Sequence, residues 1–153
     1  MNIIERITVT EDATLISLND SPADIRLVAT IFEMIRDAGI DVDMISQSPP
    51  NGQHSSLSFT VSGDDFGGIL DIVAKLRSVN PDLKISVSGG NCKISIFGEA
   101  MKGKPGVAAK VFKAAAAVNA DLRMICTSET DISLLIVKAD VDAVINAIRA
   151  EFA

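Results

Sequence analysis

The sequence predicts an α+β fold of two ferredoxin-like units, each with the order βαββαβ, in which the first strand of the chain completes the sheet of the second unit. Two observations support this prediction. The elements expected along the chain run ββαββαββαββα, and a short motif of the first half recurs in the second half. Of the 153 residues, 48% are apolar, which is enough to give each unit a buried core.

The first half of the chain alternates strands with helices. Residues 3–10 alternate apolar and polar side chains and predict a strand, Glu11-Asp12 interrupts the pattern, and residues 14–19 predict a second strand. Asp20-Ser21-Pro22 predicts the start of a helix that ends at Gly39. The next elements are a strand at 41–48, a strand at 56–62, a helix between Gly63 and Asn80, a strand at 83–88 and a tight turn at Gly89-Gly90-Asn91.

The second half repeats this plan. Residues 92–98 predict a strand, and Lys104-Pro105-Gly106 predicts the start of a helix that ends near Val118. Two strands at 120–127 and 131–138 and a last helix at about 140–152 complete the chain.

The repeated motif lies on the strand that follows the first helix of each half. Residues 43–48 read DMISQS and residues 123–128 read RMICTS, so that Met, Ile and Ser recur at equal positions. Each stretch follows a helix and precedes a hairpin and then a second helix. Two equivalent units are therefore predicted.

The number of strands indicates how the units divide the chain. Residues 14–88 supply a complete βαββαβ unit, whereas residues 92–152 supply one strand too few. The surplus strand at 3–10 can supply the strand that the second unit lacks. We therefore predict a first unit of residues 14–90 and a second unit made of residues 3–11 plus 91–153.

Composition excludes several classes of function. The formal net charge is −6 without any basic cluster, which disfavours nucleic acid and anionic membranes as partners. Two cysteines, Cys92 and Cys126, are too few for a disulfide scaffold or a four-ligand zinc site. The start of the chain lacks the features of a signal peptide, and no apolar run approaches the length that a membrane-spanning helix needs, so a soluble cytoplasmic protein is expected.

Several stretches of the sequence resemble the tandem ACT regulatory region at the C-terminal end of aspartate kinases. Residues 93–98 (KISIFG), 101–109 (MKGKPGVAA) and 124–129 (MICTSE) resemble the second ACT unit of that family, and residues 40–48 (IDVDMISQS) and 58–61 (SFTV) resemble the first. The resemblance covers nearly the whole chain. The run in the second unit is fairly specific for the family, whereas ACT units in general share little sequence.

The resemblance implies a regulatory rather than a catalytic chain. It implies binding of lysine or threonine as a feedback effector, no cofactor, a homodimer formed through the ACT units, and control of an aspartate kinase catalytic lobe or subunit. The nucleotide-binding start of that lobe is absent, and no paired acid and base, metal cluster or phosphate loop is present. The chain could be a separate small subunit, a piece of a longer kinase, or a free-standing amino-acid sensor.

The chemistry of an amino-acid effector indicates where it would bind. Backbone N–H groups at the start of a helix suit its carboxylate, and side-chain oxygens on the following strand suit its ammonium. Asp43 and Gln47 lie on one face of that strand by the alternation of side chains, and the resemblance places effectors between the first unit of one chain and the second unit of its partner. The candidate effector-binding residues are Asp20, Ala23, Asp24, Ile25, Asp43 and Gln47 in the first unit and Pro105, Gly106, Val107, Asp121 and Leu122 in the second.

Each candidate also has a structural interpretation. Asp43 fits a solvated strand position, and Asp24 fits a first-turn acid that favours the helix dipole. Family members often have Lys-Pro-Gly before the first helix, whereas this sequence has Ser21-Pro22-Ala23, and the Cβ of Ala23 restricts close approach. This difference favours a second hypothesis, a structural dimerisation ACT module that has lost or changed its ligand. His54 is predicted to lie in a surface loop without a catalytic partner.

Overall fold

The computed structural model of the protein describes residues 2–153. It contains six strands and four α-helices in the described residues, in the order β1 (Arg6–Pro22), α1 (Ile25–Asp37), β2 (Val42–Gln47), β3 (His54–Ser62), α2 (Phe66–Val79), β4 (Lys84–Phe97), α3 (Val107–Ala117), β5 (Leu122–Thr127), β6 (Asp131–Val137) and α4 (Val141–Glu151). The strand order is β2-β3-β1-β4-β6-β5. The described chain divides into two compact units: residues 12–89, called the first unit below, and residues 2–11 with 90–153, called the second unit.

The first unit has the ferredoxin-like strand order. Its strands follow the order β2-β3-β1-β4. The C-terminal part of β1 is a central strand of this unit, and the N-terminal part of β4 is its outer strand. β1 and β2 both pair antiparallel with β3. The core lies between this sheet and helices α1 and α2, and its fully buried side chains include Ile16, Leu18, Ile31, Ile35 and Ile69.

The second unit has the same order, β1-β4-β6-β5, because the N-terminal part of β1 supplies the strand that residues 90–153 lack. The backbone N–H of Glu5 donates to the carbonyl of Phe97 at 2.9 Å, which anchors this segment to β4. Helices α3 and α4 cover a core whose fully buried side chains include Ile94, Ile96, Leu134, Ile136 and Ile148. The predicted fold class, including the first strand completing the second sheet, is confirmed.

The repeat predicted from the motif extends to details of the two sheets. Met44 on β2 and Met124 on β5 are both buried, whereas Ile45 and Ile125, one residue further on, are 52% and 40% exposed. Each strand also has an irregular register beside its methionine, between Val42 and Ile45 on β2 and between Leu122 and Met124 on β5. The two strands that carry the motif therefore have equivalent structures.

Two predicted strand boundaries were wrong for the same reason. Glu11-Asp12 does not end a strand, since β1 runs from Arg6 to Pro22 with Asp12 at a φ of 55°. The tight turn predicted at Gly89-Gly90-Asn91 is likewise part of β4, although Gly90 has a φ of 72°. Turn-forming residues here produce local irregularities within long strands because neighbouring strands supply the backbone hydrogen bonds.

The start of α1 was predicted too early. β1 continues through Pro22, with a register shift between Leu18 and Ser21, and the helix begins at Ile25 with Asp24 as its N-cap. Asp24 is therefore a capping residue rather than a first-turn acid. His54 is the first residue of β3 rather than part of a loop. Gly39, with a φ of 70°, follows the end of α1 as expected for a left-handed terminating residue.

The fit of the N-terminal segment against Gly98 can be tested by substitution. A Cβ added to Gly98 would clash with the backbone oxygen of Ile3, so that one of the two segments would have to move. We expect Gly98→Ala to lower the free energy of unfolding by about 2 kcal/mol, as overpacking does in other cores. Urea unfolding followed by circular dichroism measures this change.

Gly67→Ala is the matched control. In the described part of the chain, no heavy atom lies within 4 Å of the Cβ position of Gly67 in α2, apart from its chain neighbours and the nearby backbone of its own helix. The substitution should therefore raise the free energy of unfolding by about 0.5 kcal/mol, since alanine has the higher helix propensity. Equal stability of Gly98→Ala and the unsubstituted protein would contradict the packing of Ile3 on Gly98.

Candidate functional site

A surface cavity of about 470 Å³ lies in the first unit, between the loop before α1 and the end of β2. It is lined by Ala23, Ile25, Gln47, Ser48, Pro49 and Pro50. Three of these residues, Ala23, Ile25 and Gln47, are candidates chosen from the sequence. The fold thus brings together the loop that precedes a helix and the strand that follows it, the two elements expected to hold an amino-acid effector.

The loop before α1 uses most of its own hydrogen-bonding groups. The N–H of Ala23 donates to the carbonyl of Gln53 at 2.8 Å, and the N–H of Asp24 donates to the carbonyl of Pro22 at 2.9 Å. The carboxylate of Asp24 accepts from the N–H of Arg26 at 2.9 Å and caps the helix. A carboxylate of the protein therefore lies where the positive end of the helix would otherwise attract a carboxylate of a ligand.

The end of β2 forms the other wall of the cavity. The amide nitrogen of Gln47 donates to the hydroxyl of Ser55 at 3.4 Å. The hydroxyl of Ser48 accepts from the N–H of Ser56 at 2.8 Å and donates to the Ser56 carbonyl at 3.4 Å. These contacts with β3 hold the wall in place and leave the amide oxygen of Gln47 as an acceptor.

The three acidic candidates of the first unit, Asp20, Asp24 and Asp43, are not among the residues that line this cavity. Asp43 is exposed on β2, and the irregular register between Val42 and Ile45 separates it from Gln47. The simple alternation that placed Asp43 and Gln47 on one face is therefore interrupted by a bulge. Asp20 has a φ of 49°, and its carboxylate lies 3.7 Å from the ammonium of Lys84.

The second unit has a smaller cavity, of about 170 Å³, at the equivalent place. It is lined by Met101, Lys104, Val107, Ala108, Thr127, Ser128, Glu129 and Ile132. Thr127 and Ser128 hold the places in the repeated motif that Gln47 and Ser48 hold in the first unit. Val107 is the one candidate from the sequence that lines it, at the first residue of α3.

The two cavities differ in charge. α3 has Gly106 as its N-cap, at a φ of 89°, and no side chain caps it. Lys104 lines the cavity beside this helix start, and Glu129 forms an ion pair of 3.0 Å with Lys102. The cavity of the second unit is therefore lined by one cation and one anion and lies at a helix start that no side chain caps, whereas the described residues that line the first cavity carry no charge and Asp24 caps the adjacent α1.

The remaining candidates of the second unit lie elsewhere. Leu122 is the first residue of β5 and Asp121 precedes it, so that Leu122 lies about 16 Å along the strand from Thr127. The carboxylate of Asp121 accepts from the guanidinium of Arg123 at 2.8 Å, and its N–H donates to the carboxylate of Asp140 at 2.8 Å. Pro105 is exposed in the loop before α3 and is not among the described lining residues.

Sequence reasoning missed residues on both cavity walls. It interpreted Pro49 and Pro50 as a loop and Thr127-Ser128-Glu129 as a hairpin turn, whereas these segments line the two cavities. The repeat could have identified Thr127 from the sequence, because aligning the two copies of the motif pairs Gln47 with Thr127.

Two further classes of site were searched for in the described residues. Within residues 2–153, no group of three or more His, Cys, Asp or Glu side chains is arranged to hold a metal ion. No described helix is long and apolar enough to cross a membrane.

Comparison with known proteins identifies the chain through both sequence and structure. A family model of the ACT domain matches residues 94–152. The chain is 31% identical over 134 residues to an aspartokinase of Geobacillus stearothermophilus, an alignment that covers 88% of this chain and 32% of that protein. It therefore spans about a third of the length of the curated relatives it matches.

Several solved structures match over nearly their whole length. The ligand-free regulatory subunit of aspartate kinase from Thermus thermophilus aligns with a TM-score of 0.89 at 28% identity and covers 99% of both chains. A chain from a crystal structure of aspartokinase alpha and beta subunits aligns with a TM-score of 0.84 at 30% identity, covering 97% of this chain and 98% of that one. The chain belongs to the aspartate kinase family and is a tandem ACT regulatory region of that family.

Proposed function

We propose that the chain is an allosteric effector-binding module that senses lysine or threonine and thereby controls an aspartate kinase. The kinase catalytic lobe, attached or supplied as a separate subunit, would phosphorylate aspartate, and this chain would contribute no catalytic group. Differential affinity of the effector for two states of the assembly would transmit the signal.

The cavity of the first unit carries this proposal. It combines Ala23 and Ile25 from the loop before α1 with Gln47 from β2, as an amino-acid site between these elements requires. Its volume of about 470 Å³ is within the usual range for small-molecule sites. The cavity is open to solvent on one side, which is consistent with closure by another unit or chain.

A homodimer formed through the ACT units is part of the proposal. β2 and β5 are the two end strands of the sheet order and leave backbone groups for pairing with another chain. Each exposes an isoleucine at the equivalent position, Ile45 and Ile125. Pairing of these edges between two copies would bury both side chains and would bring the first unit of one copy beside the second unit of the other.

Two observations favour the alternative of a dimerisation module, or a free-standing sensor, that has lost or changed its ligand. The Asp24 carboxylate caps α1 at the place where an effector carboxylate is expected. Ala23 also stands before this helix where the resemblance to the family implies a glycine. Under this alternative the chain would dimerise without a response to lysine or threonine.

Calorimetry tests effector binding. We expect lysine, threonine or both to bind the folded protein, and Gln47→Ala to weaken that binding about tenfold through loss of a hydrogen bond in the cavity. Asn146→Ala is the matched control, because it removes a side-chain amide at an exposed position of α4. Absence of binding for both amino acids to a folded dimer would favour the dimerisation alternative.

Sedimentation equilibrium tests the dimer. We expect twice the chain mass of 16.1 kDa and a shift toward the monomer in Ile45→Lys, since a lysine on an edge strand opposes pairing. Val79→Lys makes the same change at a residue that is 87% exposed at the end of α2, and it should leave the dimer intact. Equal association of both variants would show that β2 is not the interface.

A further inference from the structure

We propose that a separate cavity of the second unit binds a small oxyanion of the phosphate class through the guanidinium groups of Arg6 and Arg149. The cavity has a volume of about 270 Å³ and lies between the N-terminal segment of the chain and the end of α4. It shares no described lining residue with the two cavities above. Its ligand is therefore distinct from the amino-acid effector of the proposed function.

The side chains that line this cavity carry an excess of positive charge, although the whole chain has a formal net charge of −6. Arg6 and Arg149 are cationic, and Glu5 is the one acidic side chain among the described lining residues. The carboxylate of Glu5 already accepts the backbone N–H of Glu99 at 3.0 Å. The acid of the lining thus has a partner within the protein, and the charge that remains favours an anion.

Both arginines keep hydrogen-bond donors available for a ligand. In the described chain, no hydrogen bond or ion pair joins either guanidinium to another protein group. The guanidinium of Arg6 lies over the ring of Phe97, 4.7 Å from its centroid. Such a contact restrains the guanidinium and leaves the N–H donors at its edge unused. A restrained fork of donors is the arrangement that binds phosphate oxygens in pairs.

The position of Arg149 also has a structural explanation. It lies in the last turn of α4, where a cation is favourable beside the negative end of the helix dipole. Arg36 holds the same place in α1, but there the guanidinium lies 3.0 Å from the carboxylate of Asp37. A helix end carries only about half a unit charge, so it offsets part of the positive charge of Arg149 and leaves its donors without an acceptor side chain.

A third cation lies beside the cavity. The ammonium of Lys110 is 5.3 Å from the centroid of the ring of Phe152, which lines the cavity. The neighbouring acid, Glu151, is paired with Lys113 at 3.0 Å. The cations therefore outweigh Glu5 and the helix end together. This balance favours an anion with two negative charges over a monoanion, because the attraction grows with the product of the charges.

The size of the cavity restricts the ligand to a small group. Its volume of about 270 Å³ is slightly below the range of about 300–1,000 Å³ that is usual for small-molecule sites. A phosphate group meets this limit and presents several oxygens to the two guanidinium groups. Inorganic phosphate and the terminal phosphate of a nucleotide share this chemistry, and the ligands of the experiment below distinguish them.

Nuclear magnetic resonance of the ¹⁵N-labelled full chain tests the site by titration with inorganic phosphate, ADP and acetate. The ionic strength is kept constant and low, because salt screens exposed charges. We expect phosphate to shift the Nε–H signals of Arg6 and Arg149 and to bind at least fivefold more tightly than acetate. A response to phosphate alone would assign the site to the free anion, and a response to ADP would extend it to, or restrict it to, phosphate carried by a nucleotide.

Arg149→Gln should weaken phosphate binding about tenfold, because it removes one charge-assisted pair. Arg36→Gln is the matched control, since it removes an arginine from the last turn of another helix outside this cavity, and it should change the affinity less than twofold. Thermal unfolding checks that both variants remain folded.

Three results would overturn the oxyanion site. These are equal losses of affinity in Arg149→Gln and Arg36→Gln, equal binding of acetate and phosphate, and unchanged signals of Arg6 and Arg149 with both phosphate and ADP. The proposed effector-binding function would stand in each case, because it concerns a different cavity.

Discussion

The pairing of the N-terminal segment with β4 is the constraint on which the second unit depends. Residues 90–153 supply only three of the four strands that a ferredoxin-like sheet requires, and the start of β1 supplies the fourth. The hydrogen bond from Glu5 to Phe97 and the contact of the Ile3 carbonyl with Gly98 hold it there. As a consequence, the first unit is an insertion within the sequence of the second, and removing a few residues from the start would leave the second sheet incomplete.

The backbones of the two units repeat closely, whereas the residues around their two cavities differ. The buried methionines, the exposed isoleucines and the irregular registers of β2 and β5 repeat closely. The polar groups around the two cavities do not repeat: Asp24 caps α1, whereas α3 has a glycine cap and Lys104 nearby. A packed core tolerates few changes in volume, whereas exposed loops before helices can change charge with little loss of stability.

Membership of the aspartate kinase family gives the two cavities a regulatory context. An effector bound at a loop between a helix and an edge strand would stabilise the positions of both elements, and an interface that includes that edge would respond.

The sequence by itself determined the fold class, the repeat and the use of the first strand to complete the sheet of the second unit, because apolar periodicity and strand count depend on local order along the chain. It also selected Ala23, Ile25 and Gln47 as candidates, which the structure places in the lining of one cavity, since helix starts and strand ends are marked by local residues. Only the tertiary structure decided that Glu11-Asp12 and Gly89-Gly90-Asn91 lie within continuous strands, because backbone pairing with neighbouring strands overrides local turn preference. The tertiary structure also showed a bulge between Asp43 and Gln47, which depends on the strand register. It showed in addition that Asp24 is the N-cap of α1, which depends on the exact residue at which the helix starts.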